Sequence, residues 1–202
     1  MSDEEADAHL DALFGPAGAA SREQVLDALD LMDGQFNAHG VELGQSYDSG
    51  AVVPDGTDRD EVDGGGDLVH RVTSRPGHPV PHAWLTVGTR DVSTLDLCGY
   101  DRFTLIVGPS GQAWTEAASS VAADLDIELR ATTVSLGLDI NDAYGQWARR
   151  REVHDDGCLL IRPDRIVAWR SEHLVDDPVR TLTTVLRQLL ARDPADPPSA
   201  QP

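Results

Sequence analysis

His78 and His82 stand four residues apart in RPGHPVPHAWL, Arg75 to Leu85, a spacing that on a helix would offer two imidazoles to one zinc ion. Pro79 and Pro81 interrupt that stretch and forbid a regular helix. No nearby cysteine completes a ligand set, so no metal ligand is assigned. Cys98 and Cys158 are sixty residues apart and neither belongs to a CxxC. Disulfide exchange needs a thiolate attacker, best placed at a helix N-terminus. Both cysteines are expected to be buried free thiols, and a redox pair would require their sulfurs to approach disulfide distance. Ser93, Asp96, His82 and Asp139 include the residue types of a hydrolase triad, but their spacing supports none. There is no GxSxG elbow, no Walker loop and no GxGxxG after an N-terminal strand. No catalytic, cofactor-binding or metal-binding residue is assigned.

The totals bound what such residues could serve. The chain has 202 residues, 40% of them apolar, which suits one full domain plus a substantial extra piece. The net charge is −19 and all 16 basic residues are arginine. A field of that sign repels phosphate backbones and anionic lipid, so neither nucleic acid nor membrane is an expected partner. No apolar run approaches the ~20 residues of a membrane span, and the acidic start MSDEEADAHL lacks the basic region of a signal peptide. Cytoplasm is the expected compartment.

The elements that would position these residues follow from periodicity. Ser21, with Gln24 three residues on, predicts a capped helix start. Val25, Leu29, Met32 and Phe36 form one apolar stripe, and Gly40 ends the helix. Gly40 to Asp67 reads as loops around a short AVV strand. LVHRV is strand-like, and AWLTV and DVSTLDL follow the proline stretch. FTLIV, Phe103 to Val107, is a continuous apolar run between Asp and Gly-Pro, the pattern of a buried strand. GQAWTEAASSVAADL places Trp114, Ala117, Ala118, Val121 and Leu125 on one helical face. IELRATTV is a strand, and Asn141 is the expected cap of a short helix carrying Tyr144 and Trp147. CLLIR and IVAWR are strands joined by a Pro163-Asp164 turn. Asp177-Pro178 opens a last helix, with Val179, Leu182, Leu186 and Leu189 inward. From Phe103 the order is β-α-β-α-β-β-α, an α/β, thioredoxin-like arrangement that lacks CxxC.

RPGHPVPHAWL, DVSTLDLCG, FTLIVG, GQAW and GCLLIRPDRIVAWRS together resemble the C-terminal part of flavin-dependent aromatic hydroxylases, the phenol, chlorophenol and polyketide-type monooxygenases. FNAHGVELGQSYDSGAVVPDGT, Phe36 to Thr57, is similar to the family segment that closes the substrate domain. The resemblance covers roughly residues 25–192. It implies three parts: the end of a substrate domain with a linker over residues 1–74, a thioredoxin-like C-terminal domain over 75–192, and a disordered tail over 193–202. It implies that the proline stretch is the doorway between domains, with Arg75, Pro81, His82, Trp84 and Asp96 as junction candidates and Trp84 anchored in the core. Cys98 stands where the family has Phe. Arg165 stands where the family has a hairpin Gly, which strains the backbone if that position is left-handed.

The family reaction uses FAD and NAD(P)H to place one oxygen on an aromatic ring, and the flavin carries that chemistry. GGGDLVH, Gly64 to His70, is superficially similar to the family's flavin GD segment and is read as coincidence. The flavin-binding half is absent from the sequence. The expected role is therefore the C-terminal portion of such a hydroxylase, inactive alone, structural or bound to a flavin-binding partner chain or to a second copy. The alternative is a stand-alone, non-catalytic thioredoxin-like binding module.

Overall fold

A computed structural model describes residues 2–57 and 68–192. These fall into two units, one holding residues 2–43 and 68–70, the other 44–57 and 71–192. Residues 44–57 pack with the C-terminal unit. The tail expected at 193–202 lies outside the described residues, as does most of the GGGDLVH segment.

The first unit is helical: α1 (Asp3–Phe14), a single 3-10 turn (Pro16–Gly18), α2 (Ala19–Phe36) and α3 (His39–Leu43). Helix α1 starts at a capping box in which Ser2 Oγ accepts from the Glu5 amide and the Glu5 carboxylate accepts from the Ser2 amide. That helix was not expected from the sequence. Helix α2 begins two residues before Ser21, with Gly18 as its N-cap. The reason is local. The Gly18 backbone lies so close to α1 that a Cβ there would fall 2.2 Å from the Leu13 carbonyl oxygen, and the Arg22 guanidinium bonds the Leu13 and Gly15 carbonyls at 2.7 and 2.9 Å. The turn out of α1 thus sets where α2 starts. It ends at Asn37, not at Gly40.

The second unit is built on a four-stranded sheet in the order β4-β3-β6-β7 and a three-stranded sheet in the order β2-β1-β5. Strands β1 (Trp84–Val87) and β2 (Arg90–Ser93) form a hairpin that leads into α4 (Thr94–Leu97). Then follow β3 (Phe103–Val107), α5 (Gln112–Leu125), β4 (Leu129–Thr133), the short β5 (Ile140–Asn141), α6 (Gln146–Arg150), β6 (Cys158–Ile161), β7 (Val167–Ser171) and α7 (Pro178–Leu189). Strands β3 and β4 are parallel and joined through α5, whereas β3–β6 and β6–β7 are antiparallel. From β3 onward the expected element order is present, with β5 added. No strand forms at residues 51–53 or 68–72.

Burial on both faces explains the unbroken apolar runs. On one face Leu105, Val107, Cys158 and Leu160 pack with Trp114, Ala118, Val121 and Leu125 of α5 and Leu182, Val185 and Leu186 of α7. On the other, Ile106, Leu159, Ile161 and Val167 pack with Val80, Ala83, Leu85, Cys98 and Trp147. Alternation along β3 feeds both cores at once. Between β6 and β7 the register shifts, since Leu160 faces Trp169 while Ile161 faces Val167, leaving Ala168 as the extra residue of a bulge. Two expected details change. Val179 is 39% exposed and stands outside the buried face of α7. The cap of α6 is Gly145, while Asn141 ends β5 and Asp142 Oδ2 accepts from the Ala148 amide.

The proline stretch runs along the outer edge of β7. The Val167 amide donates to the His78 carbonyl, and the Gly77 and Val80 amides donate to Val167 and Arg165. Pro79 bridges Ile166. Prolines suit that place because an outermost segment has no further neighbour that needs its N–H. Gly77 is required there: its φ is +94° and a Cβ would lie 2.3 Å from the Tyr47 carbonyl oxygen.

The β6–β7 turn carries Arg165 at φ +67°, as the sequence comparison with a glycine position implied. Its guanidinium lies 4.5 Å from the centre of the Tyr100 ring. Arg165→Gly and Arg165→Val both lose that contact and differ in the backbone. The glycine variant is expected to be the more stable by about 1–2 kcal/mol in urea denaturation. Equal midpoints for the two would show that the turn is unstrained.

Candidate functional site

Arg170 emerges from β7 beside the apolar Trp169, on the side of the sheet where residues 52–57 and 71–76 cross. Its side chain is 6% exposed. Nε donates to Asp55 Oδ2 at 2.5 Å, and Nη1 donates to Ser74 Oγ at 2.9 Å and Glu152 Oε2 at 3.0 Å. Each acceptor is held in turn. Thr57 donates to Asp55 from its amide and its hydroxyl. Glu152 accepts from Thr73 Oγ1 and from the Ser74 amide, at 2.7 and 2.9 Å. Ser74 Oγ donates to the Arg151 carbonyl, and Arg75 reaches the Thr57 carbonyl. Burial by itself would raise the Asp55 carboxyl, but the Thr57 hydrogen bonds and then the Arg170 charge outweigh it and hold the group below the ordinary carboxylate range. Glu152 supplies its carboxylate from a left-handed backbone, φ +50°, a conformation that costs about 1 kcal/mol outside glycine.

This cluster joins four stretches of chain distant in sequence. Its hydroxyls, Thr57, Thr73 and Ser74, are bonded within it, and its charged groups are satisfied by one another, so its chemistry is that of a clamp. Sequence reasoning passed over it. The available signal was an arginine inside the apolar IVAWR run, which in a strand covered on both faces needs buried acceptors.

The junction candidates are dispersed. Arg75 lies at the clamp. Pro81 is buried and its carbonyl accepts from Thr94 Oγ1 at 2.7 Å. Asp96 caps α4, its Oδ2 accepting from the Ser93 amide at 2.8 Å. The His82 carbonyl accepts from Arg150, and its ring meets Trp84 edge-on with centroids 5.1 Å apart. Trp84 is 53% exposed, so it does not anchor an entrance in the core. Alternation along β1 turns Leu85 inward and therefore Trp84 outward.

The loop from β3 into α5 is filled by the chain itself. A Cβ on Gly108 would fall 2.3 Å from the Asp155 carbonyl oxygen, and one on Gly111 would fall 2.5 Å from Val107 Cγ1. The Ser110 amide donates to Asp155, and Trp114 Nε1 donates to the Asp156 carbonyl. A shallow polar depression beside it is lined by Ser110, Arg151, His154, Asp155, Asp156 and His173. There Arg151 pairs with Asp155, and the His154 and His173 rings stack at 3.9 Å. Among the described residues no group of three His, Cys, Asp or Glu is arranged to hold a metal ion.

The two thiols sit in different cores on opposite faces of the sheet, Cys158 against α5 and α7, Cys98 against β1 and α6. Burial pushes Cys98 up to about 11, with Arg165 pulling weakly the other way, and raises Cys158 further. Folded protein is therefore expected to titrate no thiol with an aromatic disulfide reagent at pH 8, and two after denaturation. A fast-reacting thiol in the folded state would contradict this.

Against known proteins, the family model for the C-terminal part of aromatic-ring hydroxylases matches residues 73–193. The chain belongs to the aromatic-ring hydroxylase family. A phenol 2-monooxygenase of Pseudomonas sp. (strain EST1001) is 43% identical over 171 residues, which are 85% of this chain and 28% of that protein. A 2,4-dichlorophenol 6-monooxygenase of Delftia acidovorans is 40% identical over 176 residues, 87% of this chain and 30% of its own length. The crystal structure of the flavin-dependent monooxygenase PieE, in complex with FAD and substrate, matches with a TM-score of 0.76 and 40% identity over 96% of this chain and 33% of that one. The chain thus spans under a third of the curated relatives' length.

Membership in the aromatic-ring hydroxylase family raises the question of FAD. A flavin pyrophosphate needs backbone amides at an open, glycine-lined helix entry. Glycine caps the starts of α2, α5 and α6, and the Asp155–Asp156 backbone occupies the mouth of α5. No step of the hydroxylation is assigned to the described residues. No described helix is long and apolar enough to cross a membrane.

Proposed function

We propose that this chain acts as the C-terminal domain of a flavin-dependent aromatic hydroxylase in a structural, partner-binding role. FAD and NAD(P)H are then held by a separate flavin-binding portion, and the thioredoxin-like part serves as a scaffold without redox chemistry. The observation that carries the reading is the stripe on α2. Val25, Leu29, Met32 and Phe36 are 45%, 53%, 50% and 68% exposed, and no residue of that helix is buried. An apolar helical stripe of this length is a surface for another polypeptide. The clamp supports the same reading, because it ties Asp55, Thr57 and Ser74 to the sheet.

The test is the flavin spectrum of the purified chain, alone and after co-expression with its flanking genes. The expected result is a yellow complex with bound FAD in the co-expressed sample alone, lost in a Leu29→Asp, Met32→Asp variant. Colourless protein in both samples, with an aromatic ligand bound by the monomer, would replace this reading with that of a free-standing binding module.

A further inference from the structure

The two edges of the four-stranded sheet are treated differently. The β7 edge is covered by residues 77–80, and the Val53 amide bonds the Ala168 carbonyl there. Strand β4, at the opposite edge, pairs with β3 and with no other described strand. The Phe103 amide bonds the Glu128 carbonyl and the Val134 amide bonds the Val107 carbonyl. In a parallel ladder this parity turns the even-numbered residues of β4 toward β3, and the amides and carbonyls of Leu129, Ala131 and Thr133 outward. No backbone group of the described residues bonds them. This edge is also the floor of a groove of about 710 Å³, within the range of roughly 300–1,000 Å³ that ligand sites occupy. Thr115 of α5 forms one wall. Val87, Leu97, Leu138 and Ile140 form the other, on the opposite face of the sheet.

We propose that this groove binds an extended segment of a partner polypeptide, which joins the sheet as an antiparallel strand beside β4. The floor selects an extended backbone, because its unbonded groups alternate at the two-residue repeat of a strand. The walls rise on both faces of the sheet and select a single strand over the edge of another folded sheet. Register then assigns the side chains. Residues opposite Leu129, Ala131 and Thr133 bond the floor and face α5. Residues opposite Arg130 and Thr132 face the apolar wall, as does Ile106, the β3 neighbour of Thr132. An apolar residue fits opposite Thr132. A carboxylate fits opposite Arg130, which is exposed and has no ion-pair partner among the described residues. That is the pair position where side chains approach closest. Asp96, on the same wall, is engaged by the Ser93 amide. An antiparallel segment begins at the Thr133 end of the floor. There the turn closed by the Ser135 amide on the Ile140 carbonyl carries the exposed Asp139, which favours a basic first residue. The inference goes beyond the proposed function and does not rest on it, because that reading is carried by α2 and this one by β4.

The experiment titrates the isotope-labelled whole chain with the acetylated peptide Lys-Thr-Val-Thr-Glu-Thr and follows the backbone amide resonances. The peptide lysine lies at the Asp139 end and the glutamate opposite Arg130. The expected result is saturable shifts at Leu129, Ala131 and Thr133. Methylating the three threonine nitrogens of the peptide removes the amides that face the floor and weakens binding roughly tenfold or more. Methylating the valine and glutamate nitrogens, which face away, leaves binding close to that of the parent. Lysine in place of the peptide glutamate weakens binding about fivefold, and Arg130→Glu in the protein restores it. Ala131→Pro abolishes binding while leaving the β3–β4 ladder intact, because the Ala131 amide points away from β3. Unchanged far-ultraviolet circular dichroism identifies variants that have kept their fold, and the pair of methylated peptides decides if the proline variant has not. Absence of shifts at those three amides overturns the proposal. So does equal binding of the two methylated peptides, which would make the groove a site for apolar side chains alone. Shifts that grow with protein concentration in the absence of peptide would assign the edge to a second copy and overturn it likewise.

Discussion

Arg170→Ala is expected to lower folding stability by about 3–5 kcal/mol, the cost of removing one partner from a buried ion pair. The argument rests on what is left behind. The Asp55 side chain is 12% exposed and would keep its charge with Thr57 as its remaining donor. Arg170→Lys is expected to recover little, because a single ammonium cannot reach Asp55, Ser74 and Glu152 along the divergent directions that a guanidinium offers. Arg170→Met together with Asp55→Asn should recover much of the loss, since no unpaired charge remains. Acid tests the same clamp. The Asp55 carboxyl lies below its ordinary value, so its contribution is fully present above that value and is lost as pH falls through the depressed one. Denaturation midpoints of the wild type should therefore fall on acidification below about pH 4, and Asp55→Asn should flatten that part of the profile. An Arg170→Ala protein that unfolds at the wild-type urea concentration would mean that the cluster is incidental.

Trp114→Ala should cost a similar amount, about 3–5 kcal/mol. Trp114 is fully buried between α5 and the sheet, meets Trp169 edge-on at 5.6 Å, and donates from its indole to the Asp156 carbonyl at 3.1 Å. Truncation opens a cavity and leaves that carbonyl without its donor, and the two penalties add. Trp114→Phe separates them, keeping most of the volume while losing the hydrogen bond. Trp84→Ala is the control, because half of that ring is already in water and its removal falls within the range of ordinary surface changes. Guanidinium denaturation of the three variants should rank them Trp84→Ala, Trp114→Phe, Trp114→Ala in rising cost. Equal losses for Trp84 and Trp114 would show that the β1 side of the unit packs more tightly than its exposure indicates.

The legible parts of the fold are those whose pattern is a direct record of burial. Strand β6 is apolar throughout and β3 and the start of β7 nearly so because both faces are covered, and α5 carries its five inward residues at unbroken helical spacing. Helix α1 left a weaker mark. Its apolar residues are few, and its best signal was the Ser2–Glu5 box at the extreme start. The direction of Trp84 could not be read locally, since alternation along β1 gives two choices and the packing beneath Leu85 decides between them. The clamp was hidden by distance. Asp55 and Arg170 are 115 residues apart, and no periodicity links them. The family membership was legible because it rests on several short motifs in fixed order, and the comparisons agree with it.

The covered edge of β7 also dictates an order of events during synthesis. Val53, Asp55, Ser74, Gly77 and His78 bond Val167, Ala168 or Arg170, about ninety residues or more downstream. Those residues leave the ribosome early and must wait, with backbone groups and Asp55 in water, until nearly the whole second unit has been made. Non-local closure of this kind slows folding. The sheet strands β3 and β4 with α5 form a local unit and are free to assemble first. The proline stretch and the clamp then close last, and pulse-labelled amides of Gly77, Val80 and Val53 should gain protection after those of β3.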